Sequence, residues 1–572
     1  VRKLKLKLKQ LRNNKRNQSL IQTGLVIGIA LLLNILGNYF FSSFDLTEEK
    51  RFTLTKPTLN LLDSLNDVVY VEILLEGDFP AGFKRLQRSV REMLDDFRSR
   101  SGYMEYEFAN PNEGSVKAIN KRREELAKDG IMPTNLRLKD VEGTSEILIY
   151  PWAKVYYKGR MVAVDLLDEQ GAGGQEEKLN TSISLLEFKF ANAIQKLKQG
   201  AKEILAFTEG HGELNELERK DLVRSLRSYY EVGTFNLDSA TYIPKEVKIL
   251  IIAKPRAPFS ERDKFLIDQY AMNGGKILWL IDRLNVSLDS MRRTGSYVPF
   301  DYPLNIEDLL FKYGIRINAD MVLDLQCSPI PQVVDPTGKI ELFKWYYHPI
   351  ILPDSKHPIV RNLDGINLFF PSTIDTVRTK TPVKKTILLR SSLHSRLQFN
   401  TTRLNFEILR YKPDPSKFKK SHLPVAVLLE GEFPSLYENR VTESMKEGLH
   451  QLGQEFKTRS LPTKMLVVAD GDVAKNTVLD AKNGKILPLG YNRFSRYQFA
   501  NKDFLLNAVE YLRDENGIIE ARNREVKLRL LDTVRAQGEK GKWQLINILL
   551  PLLFLLLFGI VFNWLRKKKY AN

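Results

Sequence analysis

Cysteine is nearly absent: Cys327 is the one thiol in 572 residues. A single cysteine excludes an intramolecular disulfide framework and any multi-cysteine metal site, so stability has to come from apolar cores. No C-x-x-C exists, which removes thioredoxin-type redox chemistry. No G-x-x-x-x-G-K-[ST] loop occurs, so nothing supports nucleotide hydrolysis by a P-loop, and no G-x-S-x-G elbow supports a serine hydrolase of that type. H-E-x-x-H spacing is missing as well. Two further absences are local. The stretch Leu545–Trp564, LINILLPLLFLLLFGIVFNW, contains no charge, and the first sixteen residues contain no acid.

The uncharged stretch sets the organisation. Twenty residues at about 1.5 Å each reach about 30 Å, the thickness of a bilayer's hydrocarbon core, so a transmembrane helix is expected over 545–565. Arg566, Lys567, Lys568 and Lys569 follow it and mark a cytoplasmic tail over 566–572. A second span is expected over 19–44, around GLVIGIALLLNILGNYFF. Arg2, Lys3, Lys5, Lys7, Lys9, Arg12, Lys15 and Arg16 precede it in a basic tail, 1–18, and Asp45, Glu48 and Glu49 follow it. That asymmetry puts the amino terminus in the cytoplasm too. An uncleaved anchor is favoured over a signal peptide, because the basic region is long and no small-x-small site lies between Leu36 and Leu46. Residues 45 to about 540 then lie across the membrane from both tails. Of the formal charge of +18, twelve units sit in the two tails. They are read as topology signals that touch anionic lipid, and a nucleic-acid partner loses its support.

The outer region reads as α/β in several parts. Over 45–198, Val68–Leu75 and Tyr103–Phe108 are expected strands around a helix from Gly82 to Arg98. Phe83, Leu86, Val90, Met93, Leu94 and Phe97 recur there at three and four residues. A hairpin is expected at Lys158-Gly159-Arg160, and Asp168–Asn180 is a glycine-rich loop. This part suits a thioredoxin-like α/β domain. Over 199–300, Glu203–Phe207, Lys248–Ala253 and Lys276–Ile281 alternate with helices at Asn215–Tyr230 and Ser260–Met272, implying a parallel, doubly wound sheet. Asn215 with Glu218, and Ser260 with Asp263, have capping-box spacing. Residues 301–500 form a mixed α/β region with strands at Lys339–Trp345, Thr386–Arg390, Val425–Leu429 and Met465–Ala469. Residues 501–544 form a helical stalk that includes NKDFLLNAVEYL.

Candidate sites follow from strand ends, because open α/β sheets hold ligands outside the carboxyl ends of their strands. Glu209, His211 and Glu213 in TEGHGE are one set; a histidine between carboxylates holds a metal or shuttles a proton, although a plain turn at Gly210 and Gly212 is favoured. Asp470 and Asp472 in DGD are the second, with a turn favoured over a divalent ion. No catalytic residue, metal or cofactor is assigned. Phe343, Trp345, Tyr346 and Tyr347 are read as core in preference to a stacking platform. ILLEGDFP at Ile73–Pro80 and VLLEGEFP at Val427–Pro434 agree at six of eight positions, one strand-and-turn solution used twice. On the first span, Gly24, Gly28, Asn34 and Asn38 share a stripe of about 120° and form an expected helix–helix contact.

The collar RFTLTKPT, the EGDFP turn, FTEGHGE, the KILIIAKP to GGKILWLID unit, VLLEGEFP, VVADGD and NKDFLLNAVEYL, between two spans, carry a resemblance over nearly the whole chain. It is similar to the gliding-motility-associated ABC-transporter auxiliary proteins of Bacteroidota, the GldG family. The resemblance implies a non-catalytic inner-membrane protein with a large periplasmic region, part of it similar to class I glutamine amidotransferases (a flavodoxin-like parallel sheet). It also implies a separate ABC ATPase and multi-span permease as partners, and links to gliding and type IX secretion machinery. No amidotransferase triad carries over, since the elbow cysteine is missing. A membrane-tethered hydrolase acting on an envelope substrate through Glu209, His211 and Glu213, or Asp470 and Asp472, is the rival class.

Overall fold

The computed structural model describes residues 23–32, 53–140, 143–167, 175–451, 455–523 and 538–570. The described residues divide into two units, one up to Thr55 and the other from Lys56 on. In the first, Thr23–Leu32 is a short apolar helix; Gly24 and Gly28 lie on it with open space around both. Asn34, Asn38, the basic tail and the rest of the expected first span fall outside the described residues, as do residues 168–174 of the expected glycine-rich loop and much of the expected stalk, 524–537; the remainder of that loop, from Gln175, is instead the start of the helix Gln175–Ser184. Among the described residues one helix, Lys540–Lys568, is long and apolar enough to cross a membrane, and none of its apolar window is buried.

The second unit opens with the helix Lys56–Asp63 and a four-stranded sheet in the order 104–108, 69–73, 152–157, 160–165. Val69–Ile73 and Met104–Phe108 are parallel and joined by the helix Ala81–Arg100. The β-α-β unit read from the periodicity is therefore present. Phe83, Leu86, Val90, Leu94 and Phe97 are buried along one face of that helix, each stabilising by about 1.5–3 kcal/mol. Trp152–Tyr157 and Arg160–Asp165 pair antiparallel, with positive φ at Lys158 and Gly159, the pattern of a two-residue I′ hairpin turn.

The larger sheet has seven strands in the order 383–390, 424–431, 463–468, 276–280, 247–253, 204–209, 231–236. The five from 463–468 to 231–236 are mutually parallel. The three strands expected to be parallel, at 204–209, 247–253 and 276–280, are so, but they belong to a larger mixed sheet in which Pro424–Gly431 runs against both of its neighbours. Its strands also come from both sides of residue 300. Strand direction is not encoded in a continuous apolar run: VAVLLEG and KILIIA read alike whichever way they point. Helices cover both faces. Leu222, Leu226, Phe504, Leu505 and Leu512 pack on one, and Leu266, Ile267, Leu309, Leu310 and Tyr313 on the other.

The expected helix over Asn215–Tyr230 is shorter, Lys220–Arg227. Asn215 and Glu218 close their reciprocal bonds a turn before it, with Glu218 N–H donating to Asn215 and Asn215 N–H to Glu218, both at 3.0 Å. Ser260 and Asp263 make a full capping box on Glu261–Met272. Trp345, Tyr346 and Tyr347 are core residues: Trp345 packs against Phe406, and Tyr346 against Phe418. Two ion pairs tie the helix Leu186–Gln199 and the start of the large sheet to the helix Asn501–Arg513: Lys196 with Glu510, and Arg513 with Glu203. The Lys196 ammonium also lies 3.7 Å from the centre of the Tyr229 ring.

The repeated motif is also a repeated backbone. Gly77 and Gly431 take φ values of 147° and 141°, and Phe79 and Phe433 are both buried. A Cβ on Gly431 would stand 2.6 Å from the Pro382 carbonyl oxygen, a main-chain atom that cannot rotate aside. Gly431→Ala is expected to destabilise by about 1–3 kcal/mol or more, read as a fall in thermal midpoint. Gly102→Ala, with nothing within 4 Å, is expected to stay within about 0.5 kcal/mol.

Candidate functional site

Four neighbouring parallel strands end on the same edge, and a charged or titratable residue follows each: His211 after Ile204–Glu209, Lys254 after Val247–Ala253, Asp282 after Lys276–Leu280, and Asp470 with Asp472 after Thr463–Val468. The strands need apolar side chains on both faces, because helices cover both. The first position free of that demand is the residue just past the strand, and polar chemistry collects there.

His211 is buried and stacked on Phe259, with ring centroids 3.9 Å apart and 9° between planes. Its Nε2 lies 3.3 Å from Asp263 Oδ2 and its Nδ1 3.7 Å from Glu213 Oε1. Glu213 Oε2 accepts the His211 backbone N–H at 2.7 Å. The His211 carbonyl accepts from the N–H groups of Arg256 and Ala257 at 2.7 and 2.9 Å, which pins the turn to the next strand's exit. Gly210 and Gly212 supply the positive φ values, 120° and 72°. Burial pulls the imidazole pKa down, but hydrogen bonds and charge from Glu213 and Asp263 outweigh it and leave it above its ordinary value. Burial likewise pushes Glu213 up, and its bond to His211 and to backbone N–H groups brings it below. The imidazole lies between two carboxylates. Glu209 does not join it: its carboxylate pairs with Arg219 at 2.6 Å, and Arg219 lies over Phe207.

Asp470 and Asp472 form a separate group with two residues that the sequence reading passed over. Lys254 Nζ stands 2.7 Å from Asp282 Oδ2 and 2.5 Å from Asp472 Oδ2. It reaches them from a left-handed backbone, φ 56°, and Gly471 lets it pass: a Cβ there would lie 2.6 Å from Lys254 Cβ. Asp470 is fully buried and accepts from Phe369 N–H at 2.6 Å and Asp472 N–H at 2.8 Å. Burial, then the charges of Asp282 and Asp472, raise its pKa well above the carboxylate range. Burial raises Asp472 too, but Lys254 and Lys475 bring it below its ordinary value. Lys254, disfavoured as a cation by burial, is held charged by Asp282 and Asp472.

Two trios could in principle ligate a cation: His211, Asp238 and Asp263, and Asp282, Asp470 and Asp472, each with ligand atoms within 4.8 Å of one another. Neither donor set suits a resident divalent ion. Asp263 Oδ2 is already bound by Ser260 N–H and by Ser260 Oγ at 3.0 and 2.5 Å, and the Lys254 ammonium takes the place between Asp282 and Asp472. Cys327 is buried, and burial pushes its thiol up to about 12, so it is no nucleophile. The signal that would have found Lys254 and Asp282 is plain afterwards: each is the first charged residue after an unbroken apolar strand, in IIAK and LWLID.

The sequence model of a family described as an ABC-type uncharacterized transport system matches residues 202–508. A second, a domain of unknown function, matches 48–156. A protein of Borreliella burgdorferi named only as uncharacterized is 23% identical over 451 residues, 76% of this chain and 81% of that protein. Among solved structures, the mmIFT52 N-terminal domain is 15% identical, covering 54% of this chain and 96% of that one, at a TM-score of 0.30. The exo-β-1,4-mannosidase Op5Man5 of an Opitutaceae bacterium, strain TAV5, is 13% identical over 82% of this chain and 56% of that one, at 0.20. Neither score carries an argument.

Because the His211 pKa is raised in the folded state, its pairing contributes stability in full below about pH 6.5 and loses it as pH rises through the folded value. His211→Gln leaves Glu213 and Asp263 without their cation and is expected to cost roughly 1–3 kcal/mol at about pH 6 and less at about pH 9. Urea unfolding of the two proteins across that range checks the sign.

Proposed function

We propose, from the premise that the chain belongs to the ABC-type uncharacterized transport system family, that it is a non-catalytic, membrane-anchored accessory subunit of an ABC transporter. The observation that carries this is the family match over 202–508, which spans all seven strands of the large sheet, on a chain that also holds the apolar helix Lys540–Lys568. The missing P-loop fits a subunit that leaves nucleotide hydrolysis to a separate ATPase and passage of cargo to a multi-span permease.

In finer terms, we read the span at 19–44 as a second anchor, with Gly24, Gly28, Asn34 and Asn38 facing another helix. The basic tails lie in the cytoplasm against lipid, and the body lies in the periplasm of a bacterial inner membrane. We also read the part up to 198 as thioredoxin-like and 199–300 as amidotransferase-like, joined to 301–500 through the shared sheet. The GldG resemblance adds gliding motility and secretion machinery as the setting in which the subunit binds cargo or couples the transporter to envelope partners. The hydrolase reading draws less support, because Glu209, His211, Glu213 and Asp472 each lie beside an oppositely charged or titratable partner and Asp470 is fully buried.

Pull-down of the full chain from detergent extract is expected to recover an ATPase and a permease; their reproducible absence counts against the subunit. A protease site placed at Gly171–Gly174 is expected to be cut from the periplasmic side of intact cells, and cutting only after access to the cytosol overturns the topology. His211→Gln and Asp470→Asn are expected to leave complex recovery unchanged, whereas a hydrolase would lose turnover with them.

A further inference from the structure

The charge between the two tails is unevenly placed. After the tails take twelve of the eighteen units, +6 is left for the rest of the chain, yet residues 376–422 alone carry +10, twelve Lys and Arg against Glu407 and Asp414. The remainder is net acidic. The bases concentrate furthest in RYKPDPSKFKK, Arg410–Lys420. Arg410, Lys412, Lys417, Lys419 and Lys420 are all exposed, and among the described residues none of the five stands in an ion pair. Asp414, the one acid among them, accepts the Ser416 N–H at 3.0 Å and leaves the segment at +4.

The segment is tied down. Phe406, Ile408 and Leu409 just before it and Phe418 within it pack into the core that holds Trp345 and Tyr346. The Lys417 and Phe418 N–H groups close turns onto the Asp414 and Pro415 carbonyls, each at 3.1 Å. Lys420 exchanges both of its main-chain hydrogen bonds with Ser395, at 2.9 and 3.0 Å. Like charges gathered on a fixed backbone repel one another, a cost that surfaces of mixed sign avoid and that an anionic partner removes.

The neighbouring side chains select the partner. Tyr411 is 75% exposed, and Leu393, two residues from the Ser395 that pairs with Lys420, is 61% exposed. A tyrosine among lysines suits the headgroup layer of a bilayer, and an exposed leucine gains by entering the acyl boundary beneath it. A phosphodiester backbone offers that leucine nothing. The apolar helix Lys540–Lys568 keeps such a surface within reach, because the fourteen residues 524–537 span at most about 50 Å. Tethering raises the local concentration of lipid, so a weak patch is enough.

We propose that the face carrying Arg410–Lys420 docks on the anionic surface of the bilayer that holds the anchor, with the five cations on anionic headgroups and Tyr411 and Leu393 at the headgroup boundary. The inference goes beyond the subunit reading and rests only on its anchor.

The test uses the full chain in nanodiscs of phosphatidylcholine alone and of phosphatidylcholine with equimolar phosphatidylglycerol. A fluorophore is attached to Ser421→Cys, an exposed position beside Lys420; Cys327 is buried. Quenching by acrylamide is expected to fall at least about three-fold from neutral to anionic discs and to recover at about 1 M salt, where the Debye length is about 3 Å. Arg410→Gln, Lys412→Gln, Lys419→Gln and Lys420→Gln together are expected to abolish the difference with the thermal midpoint unchanged. Equal quenching in both discs overturns the proposal, as does a difference that survives the charge variant. Protection by an added single-stranded oligonucleotide in neutral discs, with none from anionic lipid, assigns the face to nucleic acid and overturns it too. A chain that enters no disc loses its anchor and the docking with it, whereas one that enters the discs unprotected loses the docking alone.

Discussion

One ammonium group holds the functional edge of this protein together. Lys254 leaves its strand in a left-handed conformation, a placement that costs about 1–3 kcal/mol for a residue with a side chain. The arrangement persists because the chain around it specifies it: Lys254 N–H donates to the Leu280 carbonyl at 2.8 Å, and Gly471 clears the way. In return, the exits of three adjacent strands are bound to one another through Asp282 and Asp472. Buried charge of this kind is tolerated only when each partner is satisfied, and Asp282 meets that condition by accepting the Gly471 N–H as well.

The same constraint shapes what the edge can do. A cation already in place between the carboxylates turns them from metal ligands into structural counter-ions. On the neighbouring strand the His211 imidazole is stacked on Phe259 and flanked by Glu213 and Asp263. Neither group presents a free nucleophile, and both fix the turns that follow their strands. At the far end of the sheet, Lys196 with Glu510 joins the helix Leu186–Gln199 to the helix Asn501–Arg513, and Arg513 with Glu203 joins that helix to the start of the large sheet. Movement of one part then requires movement of the other or the breaking of desolvated pairs.

Much of this was legible in the residues. Phe83, Leu86, Val90 and Phe97 announce their helix by spacing, Lys158-Gly159 announces its turn, and Ser260 with Asp263 announces a cap. Each is a local signal with a local physical cause. His211 with Glu213 was legible as a group because the two are adjacent in sequence. Lys254 and Asp282 were not, since what makes them matter is a pairing across strands. Pro424–Gly431 was legible as a strand, at Val425–Leu429, but its reversed direction was not, because apolar runs buried on both faces carry no mark of direction.

The claim on which the rest stands is that Lys254 joins the strand exits through Asp282 and Asp472. A double-mutant cycle on unfolding free energy, with Lys254→Met and Asp472→Asn singly and together, measures it most directly. Strong coupling is expected, at the upper end of the roughly 0.5–3 kcal/mol found for residues in one network, with the double variant less destabilised than the sum of the singles. Additive losses would mean that the ammonium and the carboxylate do not stabilise one another, and would contradict the account.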